Sequence, residues 1–270
     1  MAAENPLLST ADFITELFCR VDDKLDDAQK HVQASLYPSE VVTLALLFAL
    51  KGVSNRAFYR WLKRDYLHFF PQLPHRTRLF RLFNSHQKYI DCFMAESSML
   101  GVIDTYGIEL IHPRREGRSK QQIGRKGLSN KRWIVGGKLC LLLNNIGLVV
   151  SWDCDTANVY AGSAFQHIVD DVADTMVVFA DTEFKKVDWE PTNLRICQVG
   201  EWNDRMMVET TLSMLTLVCH FKKVMHRKWR YFKSRVGYTM ALFNVLVQWH
   251  GLKPDPETGV IRRAIAEFSL

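Results

Sequence analysis

The sequence predicts an α/β fold, a mixed sheet flanked by helices and preceded by an all-helical N-terminal region. Apolar residues recur at three- and four-residue intervals up to about residue 99. From residue 100, short β-branched runs bounded by turn residues take over, and helical spacing alternates with them. The boundaries follow: 1–99 for the helical region, 100–252 for the α/β domain and 253–270 for a C-terminal tail. With 270 residues and 47% hydrophobic content the chain can bury a full core, which excludes disorder as its main description.

Within the helical region, Phe13, Leu17, Phe18, Val21 and Leu25 form the stripe of a first helix. Ser39 serves as the cap of a second, which runs through Val41, Val42, Leu44, Leu46, Leu47 and Leu50 and halts near Gly52. A third extends from Ser54 to Tyr66. The link Lys51-Gly52-Val53 has the length of a helix-turn-helix connection, and the helix after it displays Asn55, Arg56, Arg60, Lys63 and Arg64. Arg76, Arg78 and Arg81 lead a fourth helix toward Met99.

Leu100 to Asp104 is a short apolar strand ending in a carboxylate. Trp133 to Leu143 and Leu148 to Cys154 read as a β-hairpin turned by Asn144-Asn145-Ile146-Gly147. A helix from Ser163 to Val172, a buried strand Met176 to Ala180, a strand Leu194 to Val199 and a helix from about Asn203 to Val218 follow. A basic helical tail covers Phe221 to His250.

The formal net charge of +6 conceals a sharp pattern along the chain. Residues 51–89, 112–138 and 210–254 each carry +8, and the segments between them are acidic. Such blocks suit a polyanionic partner touched at several places, with carboxylates held apart for another purpose. Six scattered cysteines without a C-x-x-C pair read as reduced thiols of an intracellular protein. Residues 1–9 lack the character of a signal peptide, and the apolar stretch Val41 to Leu50 is too short to span a bilayer, so a cytoplasmic protein with no membrane partner is expected. Neither a Walker loop nor a dinucleotide fingerprint is present, and Cys219-His220 with His226 lacks a second ligand pair for zinc.

Asp104 ends one strand and Asp181 ends another, Val177-Val178-Phe179-Ala180-Asp181. If those strands are parallel neighbours, both carboxylates emerge at one edge of the sheet, where α/β proteins place their sites. Glu209 lies on a helix, with Arg205 one turn before it. Three carboxylates from separate elements suit two Mg²⁺ ions, or Mn²⁺, since these hard cations complete their shells with water and phosphate oxygens. Asp153 and Asp155 after a strand, and Asp170, Asp171 and Asp174 at a helix end, read instead as caps.

From about Leu100 to His250 the chain resembles the catalytic domain of bacterial insertion-sequence DDE transposases, of the ribonuclease-H-like superfamily. The likeness lies in Ile103-Asp104-Thr105, in Gly127-Leu128-Ser129 and Gly136-Gly137-Lys138-Leu139 with the hairpin, and in Val178-Phe179-Ala180-Asp181-Thr182-Glu183-Phe184. Trp202-Asn203-Asp204-Arg205-Met206-Met207-Val208-Glu209 is similar to the family's signature of an aromatic, two residues, Arg, three residues and Glu. Trp202 replaces the usual Tyr, Glu183 stands where the family commonly has Gly, and Thr216 stands where a Lys often comes, leaving Lys222 or Lys223 to hold a terminal phosphate.

The resemblance implies a ribonuclease-H-like sheet and metal-dependent cleavage at element ends, followed by strand transfer into target DNA. Asp104, Asp181 and Glu209 would be the metal ligands and Arg205 would orient Glu209 or a phosphate. It implies double-stranded DNA as partner, a homodimer that joins two ends, and a nucleoid location. Candidate DNA contacts are Asn55, Arg56, Arg60 and Arg64 in the helix pair, and Arg114, Arg115, Arg118, Arg125, Lys126, Lys131 and Arg132 in a glycine-containing connection read as flexible. Lys222, Lys223, Arg227, Lys228 and Arg230 alternate with Trp229, Tyr231 and Phe232 in the tail. That alternation suits phosphate contact with base stacking, and equally an amphipathic helix whose aromatics are core.

Overall fold

The structure, a computed structural model, describes residues 8–129, 132–185, 191–197, 205–221 and 226–249. Helix α1 (Thr10–Lys24) starts where the Ser9 hydroxyl accepts from the Asp12 amide at 3.2 Å, and it buries Phe13, Ile14, Leu17 and Val21. Helix α2 (Pro38–Lys51) is buried on all sides from Val41 to Leu50. Its start differs from the expected Ser39 cap. Ser39 lies inside the helix, the chain enters through Tyr37 and Pro38, and the Tyr37 amide donates to Glu40 Oε2 at 2.7 Å. Proline suits this first turn because its missing N–H would have no helical partner.

Ser54 caps helix α3 (Asn55–Asp65) by accepting from the Ala57 amide at 3.3 Å, and α2 and α3 are bent by 116°, an angle typical of helix-turn-helix pairs. No single helix among the described residues is long and apolar enough to cross a membrane; α2 and α3 reach that composition only jointly, across their bend, and α2 is core. Helix α4 (Arg76–Ser85) stops well short of Met99. Ser85 Oγ and the His86 amide both donate to the Leu82 carbonyl, a local arrangement that competes with helix continuation. Two 3₁₀ turns, Gln87–Tyr89 and Asp91–Phe93, carry the chain to the sheet.

Six strands form one mixed sheet: β1 (Leu100–Ile111), β2 (Arg125–Ser129), β3 (Arg132–Asn144), β4 (Val149–Thr156), β5 (Val177–Ala180) and β6 (Leu194–Ile196). β1, β5 and β6 are parallel neighbours in that order, whereas β3 is antiparallel to β1, β2 and β4. The outer edge of β3 is shared end to end, β2 pairing Arg132 to Gly136 and β4 pairing Gly137 to Leu143. The expected hairpin is present. Asn144 Oδ1 accepts from the Ile146 and Leu148 amides, which closes the turn.

Three further expectations change. β1 continues past Asp104 to Ile111, because the rest of the run is held by pairing to β3 between Val135 and Cys140. The connection read as flexible contains a 3₁₀ turn, Pro113–Arg115, and the strand β2. Its Gly127 marks close packing, since a Cβ there would overlap the Ala157 carbonyl. The expected helix Ser163 to Val172 is two short ones, α5 (Ala161–Ala164) and α6 (Gln166–Asp170).

Helices α7 (Arg205–Leu217) and α8 (Trp229–Trp249) complete the chain. α8 is enclosed from Phe232 to Val247 except at Lys233, and Trp249 stacks on Phe13 of α1 with ring centroids 5.2 Å apart. One apolar cluster joins α1 to α4 with α7, α8 and the sheet face that carries Val102, Leu139, Leu141 and Leu143. Residue 100 is thus a change of secondary structure with continuous core across it. The opposite face, with Ile103, Cys140 and Leu142, packs on Phe165, Ile168, Val169 and Phe184.

Candidate active site

Leu100, Gly101 and Val102 of β1 pair Val177, Val178 and Phe179 of β5 in parallel. Continued without a slip, that register sets Asp104 level with Asp181. β5 ends at Ala180 while β1 and β3 run on, so a notch opens where the shorter strand stops. Asp104 pairs in register with Leu141 and therefore shares the sheet face covered by α7 and α8. Thr105 and Lys138 belong to the other face, through their registers with Cys140 and Gly107.

The notch is the floor of a cleft of about 640 Å³. Asp104 and Asp181 line it together with Thr105, Lys138 and Glu183. α7 forms its wall with Glu209, Leu212, Ser213, Thr216 and Leu217, positions three and four residues apart that share one helix face. Val208, Thr211, Leu215 and Val218 are buried on the adjoining face and seat the helix on the core. The three carboxylates named from the sequence therefore meet in one cavity. Arg205 belongs to α7, but its side chain lies outside the described residues.

Hydrogen bonds join the two strand ends. The Thr105 amide donates to Asp104 Oδ1 at 2.6 Å, and the Glu183 amide donates to Asp181 Oδ1 at 2.9 Å. Thr105 Oγ1 donates to Glu183 Oε2 at 2.8 Å, and Lys138 Nζ reaches Glu183 Oε1 at 2.5 Å. Lys138 is only 5% exposed, and a lysine is buried this far only when its charge is matched. Beneath them the Cys140 thiol is driven well above its usual range, first by burial and then by the charges of Asp104, Asp153 and Glu183.

Among the described residues, no three of His, Cys, Asp and Glu are grouped to hold a metal ion by themselves. The donor set nevertheless suits a hard divalent cation, which is commonly bound by one or two carboxylates and takes further ligands from water and phosphate oxygens. Asp104 and Asp181 are the level pair for that purpose, and Glu209 faces the same cavity from α7. Asp153, read from the sequence as a cap, is engaged elsewhere: Lys233 Nζ lies 2.5 Å from its Oδ1 and His167 Nε2 lies 3.3 Å from its Oδ2.

The basic candidates are exposed wherever their side chains are described: Asn55, Arg56, Arg60 and Arg64 on α3, Arg114, Arg115 and Arg118 beyond β1, Arg125 and Lys126 on β2, Arg132 on β3, and Arg227, Lys228 and Arg230 before and within α8. Lys131, Lys222 and Lys223, with Trp202 of the signature and the tail 253–270, lie outside the described residues. Some of these charges are matched: Arg64 by Asp65 at 2.6 Å, Arg132 by Glu109 at 2.8 Å and Lys126 by Glu116 at 3.4 Å. Leu128 and Ser129 of β2 line the cleft, so Arg125 and Lys126 share a strand with the cavity wall. Two of the three tail aromatics follow the core alternative: Phe232 is fully buried, which removes it as a stacking surface, and Trp229 packs against the same cluster, whereas Tyr231 is half-buried beneath the Arg230 guanidinium.

Lys138 is the functional candidate that reading the sequence for sites missed. Its signal was a lone lysine inside the otherwise apolar strand Trp133 to Leu143. It is the one basic residue among the described residues lining the cleft, which Thr216 also lines from α7. Of the cysteines, Cys140, Cys154 and Cys219 are buried, Cys197 is half-buried, and Cys19 and Cys92 are exposed. No protein-family model matches the chain, and no curated protein matches it.

Proposed function

We propose that the chain is a DDE transposase that cleaves DNA at element ends and transfers the freed strand to target DNA. The observation that carries this reading is the convergence of Asp104, Asp181 and Glu209 on one cleft, the two aspartates level on adjacent parallel strands. The strand order, with β1 between antiparallel β3 and parallel β5, supports a ribonuclease-H-like sheet.

Asp104, Asp181 and Glu209 would hold Mg²⁺. Bound there, divalent ions supply activation of the attacking oxygen and stabilisation of the leaving one. Exposed Arg125 and Lys126 on the cleft strand bind the flanking phosphates, and the tail cations Arg227, Lys228 and Arg230 extend that contact. Asn55, Arg56 and Arg60 on exposed α3 read the element end in the major groove. Joining two ends requires two copies of the chain, so the working form is a homodimer at the nucleoid.

The experiment supplies the purified chain with Mg²⁺, a labelled duplex from the inverted repeats flanking its gene, and a target plasmid. Joined label–plasmid products are expected. Cleavage without joined products would replace this reading with that of a nuclease, and binding with neither would replace it with that of a non-catalytic DNA-binding protein.

A further inference from the structure

The parallel ladder between β1 and β5 ends just before the two aspartates, so backbone pairing does not hold Asp181 beside Asp104. Other contacts must set their separation. Thr105 and Glu183 each bind one aspartate through a backbone amide and bind one another through side chains, closing a path from Asp104 to Asp181. Lys138 reaches the same Glu183 carboxylate from β3, the strand paired to β1 along most of its length. Glu183 is thereby fastened at both oxygens, one to β1 and one to β3.

We propose that Thr105, Lys138 and Glu183 form a positioning clamp that sets the spacing of Asp104 and Asp181 for a divalent cation, with Lys138 matching the extra negative charge that Glu183 brings to the cleft. This rests on the reading of the cleft as a metal site. None of the three is a metal ligand in this arrangement; each acts through the aspartates. Groups that orient ligands in this way commonly change metal affinity about 10- to 100-fold when removed.

The test is Mn²⁺ binding to the full chain, followed by electron paramagnetic resonance, with thermal unfolding of each variant as the check on folding. Thr105→Val removes the hydroxyl without changing charge or shape greatly, and about tenfold weaker binding is expected; Thr105→Ser should restore affinity to near the original. Lys138→Met discriminates further. Simple electrostatics would tighten cation binding when a positive charge leaves the cleft, whereas loss of the clamp weakens it. Unchanged binding in Thr105→Val, or tighter binding in Lys138→Met, overturns the clamp. So does loss of binding in Glu183→Gln while Thr105→Val and Lys138→Met both bind as the original chain does, since Glu183 would then be a ligand. If Asp104→Asn and Asp181→Asn also bind Mn²⁺ normally, the metal reading itself fails, and the two failures are thereby distinguished.

Discussion

Gly52 and His220 are in contact, both with left-handed backbones, at φ 62° and φ 52°. Gly52 ends α2 and opens the turn into α3, while His220 follows α7, the helix that carries Glu209. A Cβ built on Gly52 would overlap the His220 side chain. The turn of the proposed DNA-reading pair is thus seated directly against the end of the cleft wall.

Gly52→Ala is expected to cost stability twice, through the left-handed conformation and through the overlap. A loss of about 2 kcal/mol or more in chemical denaturation is the expected outcome. An unchanged midpoint would show that the contact is not tightly packed.

Arg235 ties the same corner together from α8. Its guanidinium donates to the Phe48 carbonyl at 2.5 Å, to the Ala49 carbonyl at 2.7 Å and to the Cys219 carbonyl at 3.5 Å. Burial lowers its pKa to about 10, which leaves it charged at neutral pH beside the C-terminal end of the α2 dipole. Arg235→Met removes the guanidinium donor from those carbonyls, and a loss of about 3 kcal/mol is expected from denaturant melts. Arg235→Lys should recover only part of it, since an ammonium cannot span two carbonyls as the planar fork does.

His226 gives the fold a pH dependence. Its Nδ1 is buried with no hydrogen-bond partner among the described residues, and burial, reinforced by the Arg235 charge, lowers its pKa from 6.5 to about 4. The unfolded chain therefore binds the proton first. This contribution to stability is complete above pH 6.5 and is lost as the pH falls toward 4, by about 3 kcal/mol in all. Subtracting the stability profile of His226→Leu from that of the original chain between pH 7 and 4 isolates it; parallel profiles would assign the acid sensitivity to other groups.

Binding to duplex DNA should weaken steeply with salt, by close to one order of log K per log salt for each phosphate contacted. Replacing Arg227, Lys228 and Arg230 together with Ala is expected to lower that slope by about 2.7. Salt titrations followed by fluorescence anisotropy measure it directly, and an unaltered slope would remove the tail from the DNA path.

The parts of this fold legible in the sequence were those written as local patterns. Asp104 and Asp181 each close an apolar run, and Asn144 to Gly147 spell a turn between two such runs. The remainder depends on partners distant in the chain. β1 past Asp104 contains Gly107 and Glu109 and shows no clean alternation, yet β3 holds it in the sheet. Arg125 to Ser129 reads as a charged linker, and only its pairing to Arg132 to Gly136 makes it a strand. Lys138 and Glu183 are far apart in sequence, so neither could be recognised as the other's partner before the sheet brought them together. For Phe232, periodicity alone could not separate a stacking surface from a core position, and burial decides for the core.

The most direct test of the cleft as a metal-dependent catalytic centre is the yield of Mg²⁺-dependent cleaved and joined DNA from Asp104→Ala, Asp181→Ala and Glu209→Ala, each first shown to bind the element end as tightly as the original chain. Each substitution is expected to reduce product at least about 100-fold, a loss of more than about 2.7 kcal/mol of transition-state stabilisation. Product formed at the original rate by all three variants would contradict the assignment of the site.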